Sequence, residues 1–281
     1  MRAPHYLSVI CPQPSITLRS FLSPYSPTPL LTRFTLQTRT ISEVYSGPTA
    51  PLTSLAINLN AKILFAGCWD KTIWSWSTQS KPTRTQQRGR RYNGHNDFVK
   101  AVLCIQVKQM DVLISGSADA CVIIWNVETG ERLHTLRGGH TRGILHLAVD
   151  PTTYPVQSPS KDEEGKTSIV IFSASSDREI RRWHLSTDLA SASEIDTDKP
   201  IVKHETSVFN LCFDNNDDLW TGSADGRVKC LSRERNWEAD TILVHGDYVD
   251  SVVVNDRWTV TAGRDEDIKV WDSAVRLPLC T

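Results

Sequence analysis

At 281 residues with a formal net charge of −1, the chain is long enough to bury a sizeable core and carries no overall field to draw it to nucleic acid or a membrane surface. Hydrophobic residues make up 40%, an ordinary globular share, and no apolar run approaches the roughly 18 residues that a membrane-spanning helix needs. Seven cysteines (Cys11, Cys68, Cys104, Cys121, Cys212, Cys230 and Cys280), odd in number and without a Cys-x-x-Cys pair, read as reduced, mostly buried thiols of an intracellular protein rather than a disulfide frame or zinc site.

The amino end differs in kind from the rest. Met1 to Ser42 contains no acidic residue, while Arg2, Arg19, Arg33 and Arg39 stand among many Ser and Thr, and six prolines precede Leu31. Acid-free, Arg- and Ser-rich composition is that of a mitochondrial transit peptide. Such a peptide needs an amphipathic helix, however, and each interior proline costs about 3 kcal/mol there. Leu31 to Leu36, a polar turn and Ile41 to Tyr45 read better as two β-strands. A disordered leader and a transit peptide remain the alternatives.

From Glu43 onward the chain repeats itself. Five times a small-residue stretch ends in Asp, and six residues later stands an aromatic or apolar residue: Asp70 with Trp76, Asp119 with Trp125, Asp177 with Trp183, Asp225 with Leu231, and Asp265 with Trp271. The Asp positions lie 49, 58, 48 and 40 residues apart, a loose period with insertions. His95, His140, His204 and His245 precede four of the five units, each just ahead of an apolar run. Within the second unit, Phe98 to Ile105, Val112 to Ser117, Cys121 to Trp125 and Arg132 to Leu136 are β-branched and apolar runs bounded by turn residues, which predicts strands. Val249 to Val254, Trp258 to Ala262 and Ile268 to Trp271 repeat the pattern, and helical periodicity is absent from the repeats. The expected class is all-β.

These marks resemble the WD-repeat family of β-propellers over roughly Glu43 to Trp271. The resemblance implies one four-stranded blade per unit, with residues 43–281 forming the propeller and 1–42 a degenerate first blade or an irregular leader. It also implies that the Asp closes a turn and accepts a hydrogen bond from the His, which accepts from a Ser or Thr whose oxygen receives the Trp N–H. Three units carry that whole set: His95, Ser115, Asp119 and Trp125; His140, Ser173, Asp177 and Trp183; His245, Thr261, Asp265 and Trp271. Two depart from it. The first unit has Gly47-Pro48 and Ala66 where His and Ser are expected, so Asp70 is expected to matter less; the fourth keeps His204, Thr221 and Asp225 but has Leu231 for Trp. Both are expected to be held mainly by packing.

Counting the amino-terminal segment gives at most six blades, against a usual seven for the family. The expectations left open are a six-bladed closed ring or a truncated chain that lacks a final blade, with truncation preferred.

Side chains at three places per blade project from the top face of such propellers: the residue before the Asp, and the first and third after the His. Carried onto this chain, they nominate Trp69, Arg264, Asn96, Glu205, Phe98 and Tyr248 as partner-binding residues, Trp, Tyr and Arg being the types that dominate interface hot spots. In a six-bladed ring the first and fifth units are separated only by the amino-terminal segment, which would gather the large groups on one arc. The opposite face is expected to carry the long loops: Gln79 to Arg91 with Lys81, Arg84, Arg88, Arg90 and Arg91, and the Ser-, Asp- and Glu-rich stretches Thr152 to Thr167 and Ser186 to Lys199.

No catalytic, cofactor or metal site is expected. A hydrolytic triad occurs once, whereas this His, Ser and Asp set recurs at fixed spacing, and no Gly-x-Ser-x-Gly elbow is present. The expected function is a non-catalytic scaffold for protein or peptide partners in the cytoplasm or nucleus. The alternatives are a substrate receptor of a ubiquitin ligase, or an RNA-associated ribosome-assembly factor acting through the basic loop. The receptor reading is weakened because no Arg follows three residues after Trp125, Trp183 or Trp271.

Overall fold

The computed structural model describes residues 8–10, 16–21, 30–35, 40–58, 60–78, 87–154, 168–255, 257–272 and 278–280, and every regular element among them is a β-strand. The first sheet orders β1 (Ser8–Ile10), β2 (Ile16–Phe21), β3 (Leu30–Thr35) and β4 (Thr40–Ser46) antiparallel. The second holds β5 (Leu52–Asn58), β6 (Ile63–Cys68), β7 (Thr72–Ser77) and β9 (Arg90–Asn93), while the short β8 (Gln87–Arg88) runs parallel to β4. The third is β10 (Val99–Val107), β11 (Met110–Ser117), β12 (Val122–Asn126) and β13 (Arg132–Leu136). In the fourth, β14 (Ile144–Val149), β15 (Ser168–Ser175) and β16 (Glu179–Ser186) are flanked by β17 (Ala192–Glu194) and β18 (Val202–Lys203), both paired to β16. The fifth is β19 (Val208–Phe213), β20 (Leu219–Ser223), β21 (Arg227–Ser232) and β22 (Glu238–Val244). The sixth is β23 (Val249–Val254), β24 (Trp258–Gly263), β25 (Ile268–Asp272) and β26 (Pro278–Cys280).

The apolar clusters lie between sheets, which is why the middle strands read as unbroken apolar runs rather than alternating ones. Val122, Ile123, Ile124 and Trp125 of β12 are all buried: Val122 and Ile124 pack with Ile144 and Ile171 of the fourth sheet, Ile123 and Trp125 with Phe65 and Tyr92 of the second. Phe172 and Leu211 join the fourth and fifth sheets, and Trp220, Val249 and Trp271 the fifth and sixth. Each fully buried aliphatic chain of this kind contributes about 1.5–3 kcal/mol. Sheets stacked through apolar layers, each four strands deep, are the architecture of a β-propeller. Among the described residues no strand pairing joins the sixth sheet to the first.

The Asp turns have one backbone form. The residue after each Asp is left-handed: Lys71, Ala120, Arg178, Gly226 and Glu266 have φ between 63° and 79°. A side-chain cap offsets that strain, since Asp119 Oδ1 accepts the Cys121 N–H at 3.0 Å and Asp177 Oδ1 the Glu179 N–H at 3.0 Å. The small residues before the Asp also have a use: Ser117 Oγ donates to Asp97 O and Ser175 Oγ to Arg142 O, tying each turn to the loop that carries the His.

The stretch Ser186 to Lys199, expected to be a loop insertion, supplies an outer strand instead. Within it, β17 aligns opposite Trp183 to Leu185, and Glu194 and Asp196 pair with Arg181 and Arg182. Its acidic residues read as solvated charges in the sequence, whereas their basic partners, Arg181 and Arg182, stand side by side on β16 between Ile180 and Trp183. Of the basic loop, residues 79–86 lie outside the described residues.

Candidate functional site

Three sheets hold their His loop against their Asp turn through the same chain of bonds. Trp125 Nε1 donates to Ser115 Oγ at 2.9 Å, Ser115 Oγ donates to His95 Nε2 at 2.8 Å, and His95 Nδ1 donates to Asp119 Oδ2 at 3.0 Å. The corresponding distances are 2.7, 2.7 and 2.9 Å for Trp183, Ser173, His140 and Asp177, and 2.8, 2.6 and 2.9 Å for Trp271, Thr261, His245 and Asp265. Each donor meets an acceptor, so groups that would cost about 1–3 kcal/mol apiece when buried unpaired are accommodated. Burial by itself raises the Asp119 and Asp177 carboxyls. The bonds from His95 and His140, helped by backbone N–H groups, outweigh it and hold both well below the usual carboxylate range.

The two departing sheets solve the problem differently. In the second sheet Asp70 is not idle: Trp74 Nε1 donates to its Oδ2 at 3.1 Å, and Thr72 N–H to its Oδ1 at 3.0 Å. The Trp74 ring occupies the space a loop side chain would fill, since a Cβ on Gly47 would lie 2.3 Å from it, and Gly47 itself is left-handed at φ 137°. Asp70 therefore has an indole where the other sheets offer an imidazole, which removes the reason for expecting it to matter less. In the fifth sheet the set is loose. Thr221 Oγ1 is 3.3 Å from His204 Nε2, but His204 Nδ1 and Asp225 Oδ2 are buried without a partner among the described residues, and Asp225 Oδ1 turns to Ser223 and the Arg227 N–H. Burial, with Lys229 nearby, pushes the His204 imidazole down to about 4.

These networks fix the loops at one rim, and the nominated residues fall on it in two clusters. Trp69 stacks on Phe98 across the second and third sheets, ring centroids 5.1 Å apart and planes 10° from parallel, and Lys100 Nζ lies 5.4 Å from the Trp69 ring and 5.7 Å from Phe98. Both rings remain over a third exposed. Asn96 flanks this cluster, its backbone N–H held by Asp119 Oδ2 at 2.8 Å. On the fifth and sixth sheets the Arg264 guanidinium lies 5.0 Å from the Tyr248 ring and 5.9 Å from Phe209, and Arg264 Nε donates to Asp250 Oδ2 at 3.2 Å. Glu205 is exposed between them in sequence and joins neither cluster.

Lys100, Phe209 and Asp250 escaped the sequence reading, although each is the fifth residue after a loop His. Side chains alternate along a strand, so the fifth residue shares the face of the third, and that period was the available signal. Arg142 and Arg178, also missed, line a cleft of about 650 Å³ on the same rim with Thr141, Ser176, Ser207 and Tyr248.

The basic segment is partly committed elsewhere. Arg90 donates to the carbonyls of Val127 (3.3 Å), Glu128 (2.7 Å) and Thr129, and the Arg91 guanidinium lies 5.1 Å from the Trp74 ring. Asp214, Asp218 and Cys230 lie close enough to share an ion, yet Asp214 accepts from Trp220 Nε1 and two backbone N–H groups, and Asp218 from the Arg233 N–H. Among the described residues no disulfide is formed, and burial pushes the Cys68 and Cys104 thiols up to about 12. No helix among the described residues is long and apolar enough to cross a membrane.

A family model described as "WD domain, G-beta repeat" matches residues 39–77, 86–126 and 199–231. An uncharacterized WD repeat-containing protein of Schizosaccharomyces pombe is 29% identical over 249 residues, covering 85% of this chain and 61% of its own length. The nuclear distribution protein nudF of Aspergillus niger is 27% identical over 188 residues, 65% of this chain and 37% of that protein. A WDR12 homologue of Anopheles gambiae, a ribosome biogenesis protein, is 32% identical over 104 residues, 35% of this chain and 23% of that protein. The chain thus spans less than two thirds of the length of each of these relatives. Among solved structures, U3-55K matches with a TM-score of 0.70 at 18% identity, over 97% of this chain and 80% of that one. A computationally designed protein, Ika8, matches with a TM-score of 0.61 at 18% identity, over 94% and 70%. These last two likenesses speak to the fold alone.

Proposed function

The chain belongs to the WD-repeat family, and on that premise we propose that it is a non-catalytic interaction scaffold whose His-loop rim receives a peptide or protein partner. The observation that carries the reading is the Trp69–Phe98 stack with Lys100 beside it: two large aromatic faces kept over a third exposed, next to an Asp turn whose own bonds are already complete. Rigid, half-exposed aromatics beside a cation are the composition of interface hot spots. Arg264 over Tyr248 and Phe209 forms a second anchor of the same kind. In three sheets the imidazoles and hydroxyls that an enzyme would recruit are taken by the repeated bonds to Asp and Trp. We place the protein inside the cell, in keeping with the nuclear distribution and ribosome biogenesis proteins it resembles.

A second reading, an RNA-associated role in ribosome assembly, draws on the resemblance to the Anopheles gambiae protein. The commitment of Arg90 and Arg91 to carbonyls and an indole counts against the basic loop as its carrier.

Affinity capture with the tagged chain, followed by mass spectrometry, identifies the partner. Trp69→Ala and Arg264→Ala are expected each to abolish its capture while folding is kept, a loss of at least about 2 kcal/mol for a true hot spot, with Arg88→Ala as the neutral control. Normal capture by both rim variants and failure of Arg88→Ala would move the binding surface to the opposite face.

A further inference from the structure

We propose that the cleft between the fourth, fifth and sixth sheets, lined by Arg142 and Arg178, is a subsite for a phosphorylated serine or threonine of the bound peptide. This deepens the scaffold reading and rests on it. The cleft of about 650 Å³ is large enough for a phosphorylated side chain with its neighbours, and its wall is built from Thr141, Ser176, Thr206, Ser207 and Tyr248 beside the two arginines. Both arginines are exposed, and neither makes an ion pair among the described residues. Asp177, which also lines the cleft, does not cancel them by contact. Its carboxylate already accepts from His140 Nδ1 (2.9 Å), the Thr141 N–H (2.9 Å) and the Glu179 N–H (3.0 Å).

Two guanidinium forks without a carboxylate partner suit a dianion with three terminal oxygens better than a single carboxylate, which one fork saturates. A nucleic-acid track would need cations and stacking surfaces in series, whereas this cleft offers one pair of arginines and one aromatic ring, Tyr248, adjoining the Arg264 cluster. A second observation points to the same place. The wall given by the fifth sheet is the one whose His204–Asp225 bond is open, and Thr206 Oγ1, His204 Nδ1 and Asp225 Oδ2 are buried there without partners among the described residues. The loop of Thr206 and Ser207 is therefore held by fewer bonds than its counterparts and can adjust around a ligand.

The test uses the full chain and fluorescein-labelled degenerate pentapeptide pools with phosphoserine or phosphothreonine, unmodified serine or threonine, or glutamate at the centre, read by fluorescence polarisation. The phosphorylated pool is expected to bind about tenfold tighter than either other pool, and Arg142→Gln and Arg178→Gln each to lose about tenfold. Arg142→Lys and Arg178→Lys, which keep the charge and the fold, are expected to retain an intermediate preference. Arg257→Ala, in the β23–β24 loop away from the cleft, should leave the phosphate preference unchanged, and partner capture is scored separately with the Trp69 and Arg264 variants, so failure of the scaffold reading is separable from failure here. Equal binding of the phosphorylated and unmodified pools, a glutamate pool that binds as well, or a preference that survives in both Gln variants overturns the proposal. So does a single-stranded RNA 12-mer whose binding depends on both arginines when that of the phosphopeptides does not.

Discussion

Trp74 donates its indole N–H to Asp70 Oδ2 at 3.1 Å, and so makes in the second sheet the bond that a histidine makes in three others. The donor comes from β7, four residues along the same hairpin, rather than from the preceding loop. A turn Asp needs a buried donor more than it needs an imidazole.

Asp70→Ala is accordingly expected to destabilise the chain by about 1–3 kcal/mol, in the same range as Asp119→Ala. Trp74→Phe, which keeps a ring but removes the N–H, should cost about 1 kcal/mol. Chemical denaturation of the three variants checks this, and an Asp70→Ala protein as stable as the parent would show that the indole bond contributes nothing.

The fifth sheet should respond in the opposite sense. Because His204 does not bond Asp225, Asp225→Ala is expected to cost less than Asp177→Ala, whose loss strands His140 and frees two backbone N–H groups. Equal losses in thermal stability at the two positions would contradict the open arrangement.

Acid should weaken the fold in two stages. Burial holds His204 and His146 down at about 4, against an ordinary value of 6.5. The unfolded chain therefore takes up these protons first, and stability present above about pH 6.5 is lost as the pH falls towards 4, by up to about 3 kcal/mol per group. Asp119 and Asp177 have a linkage of the same sign at lower pH: depressed in the folded chain, they add stability above their ordinary range, lost only as the pH falls below about 4. A His146→Gln, His204→Gln double variant should flatten the first stage of the melting-temperature profile and leave the second. A profile that is level from pH 7 to 4.5 in the parent chain would refute the assignment.

Arg233 ties the fifth sheet to the fourth. Its guanidinium forks onto Asp150 at 2.7 and 3.1 Å, donates through Nε to Asp217 O, and lies 4.7 Å from the Trp237 ring. Asp150 is buried, though Thr152 also donates to it, so Arg233→Ala is expected to cost about 3 kcal/mol, chiefly by leaving that carboxylate without its cation. Arg233→Lys should recover less than half of the loss, because an ammonium cannot reproduce the fork. Full recovery by lysine, measured by urea unfolding, would reduce the contact to simple charge attraction.

On the rim, Trp69 and Phe98 should be energetically coupled in partner binding. Their stacked rings predict a coupling of about 0.5–1.5 kcal/mol in a double-mutant cycle of alanine variants. Additive losses would mean that the partner contacts the two rings independently.

The strands, the turns and the three full bond chains were legible in the amino-acid order because they are local and repeated. A turn Asp, its cap and the apolar run beyond it lie within a dozen residues, and recurrence separates them from chance. The sequence even marked Trp69, Phe98, Tyr248 and Arg264 by their size at positions where other repeats carry small groups. It could not say that Trp69 meets Phe98, that Arg264 lies over Phe209, or that Arg233 reaches Asp150 across 83 residues, because those contacts form between sheets and depend on how successive sheets stack. Nor could it reveal that Trp74 bonds Asp70 while His204 makes no bond to Asp225, although the residue types suggested the reverse. Hydrogen bonds are decided by fractions of an ångström in side-chain placement, and packing between sheets, not the local motif, sets that placement.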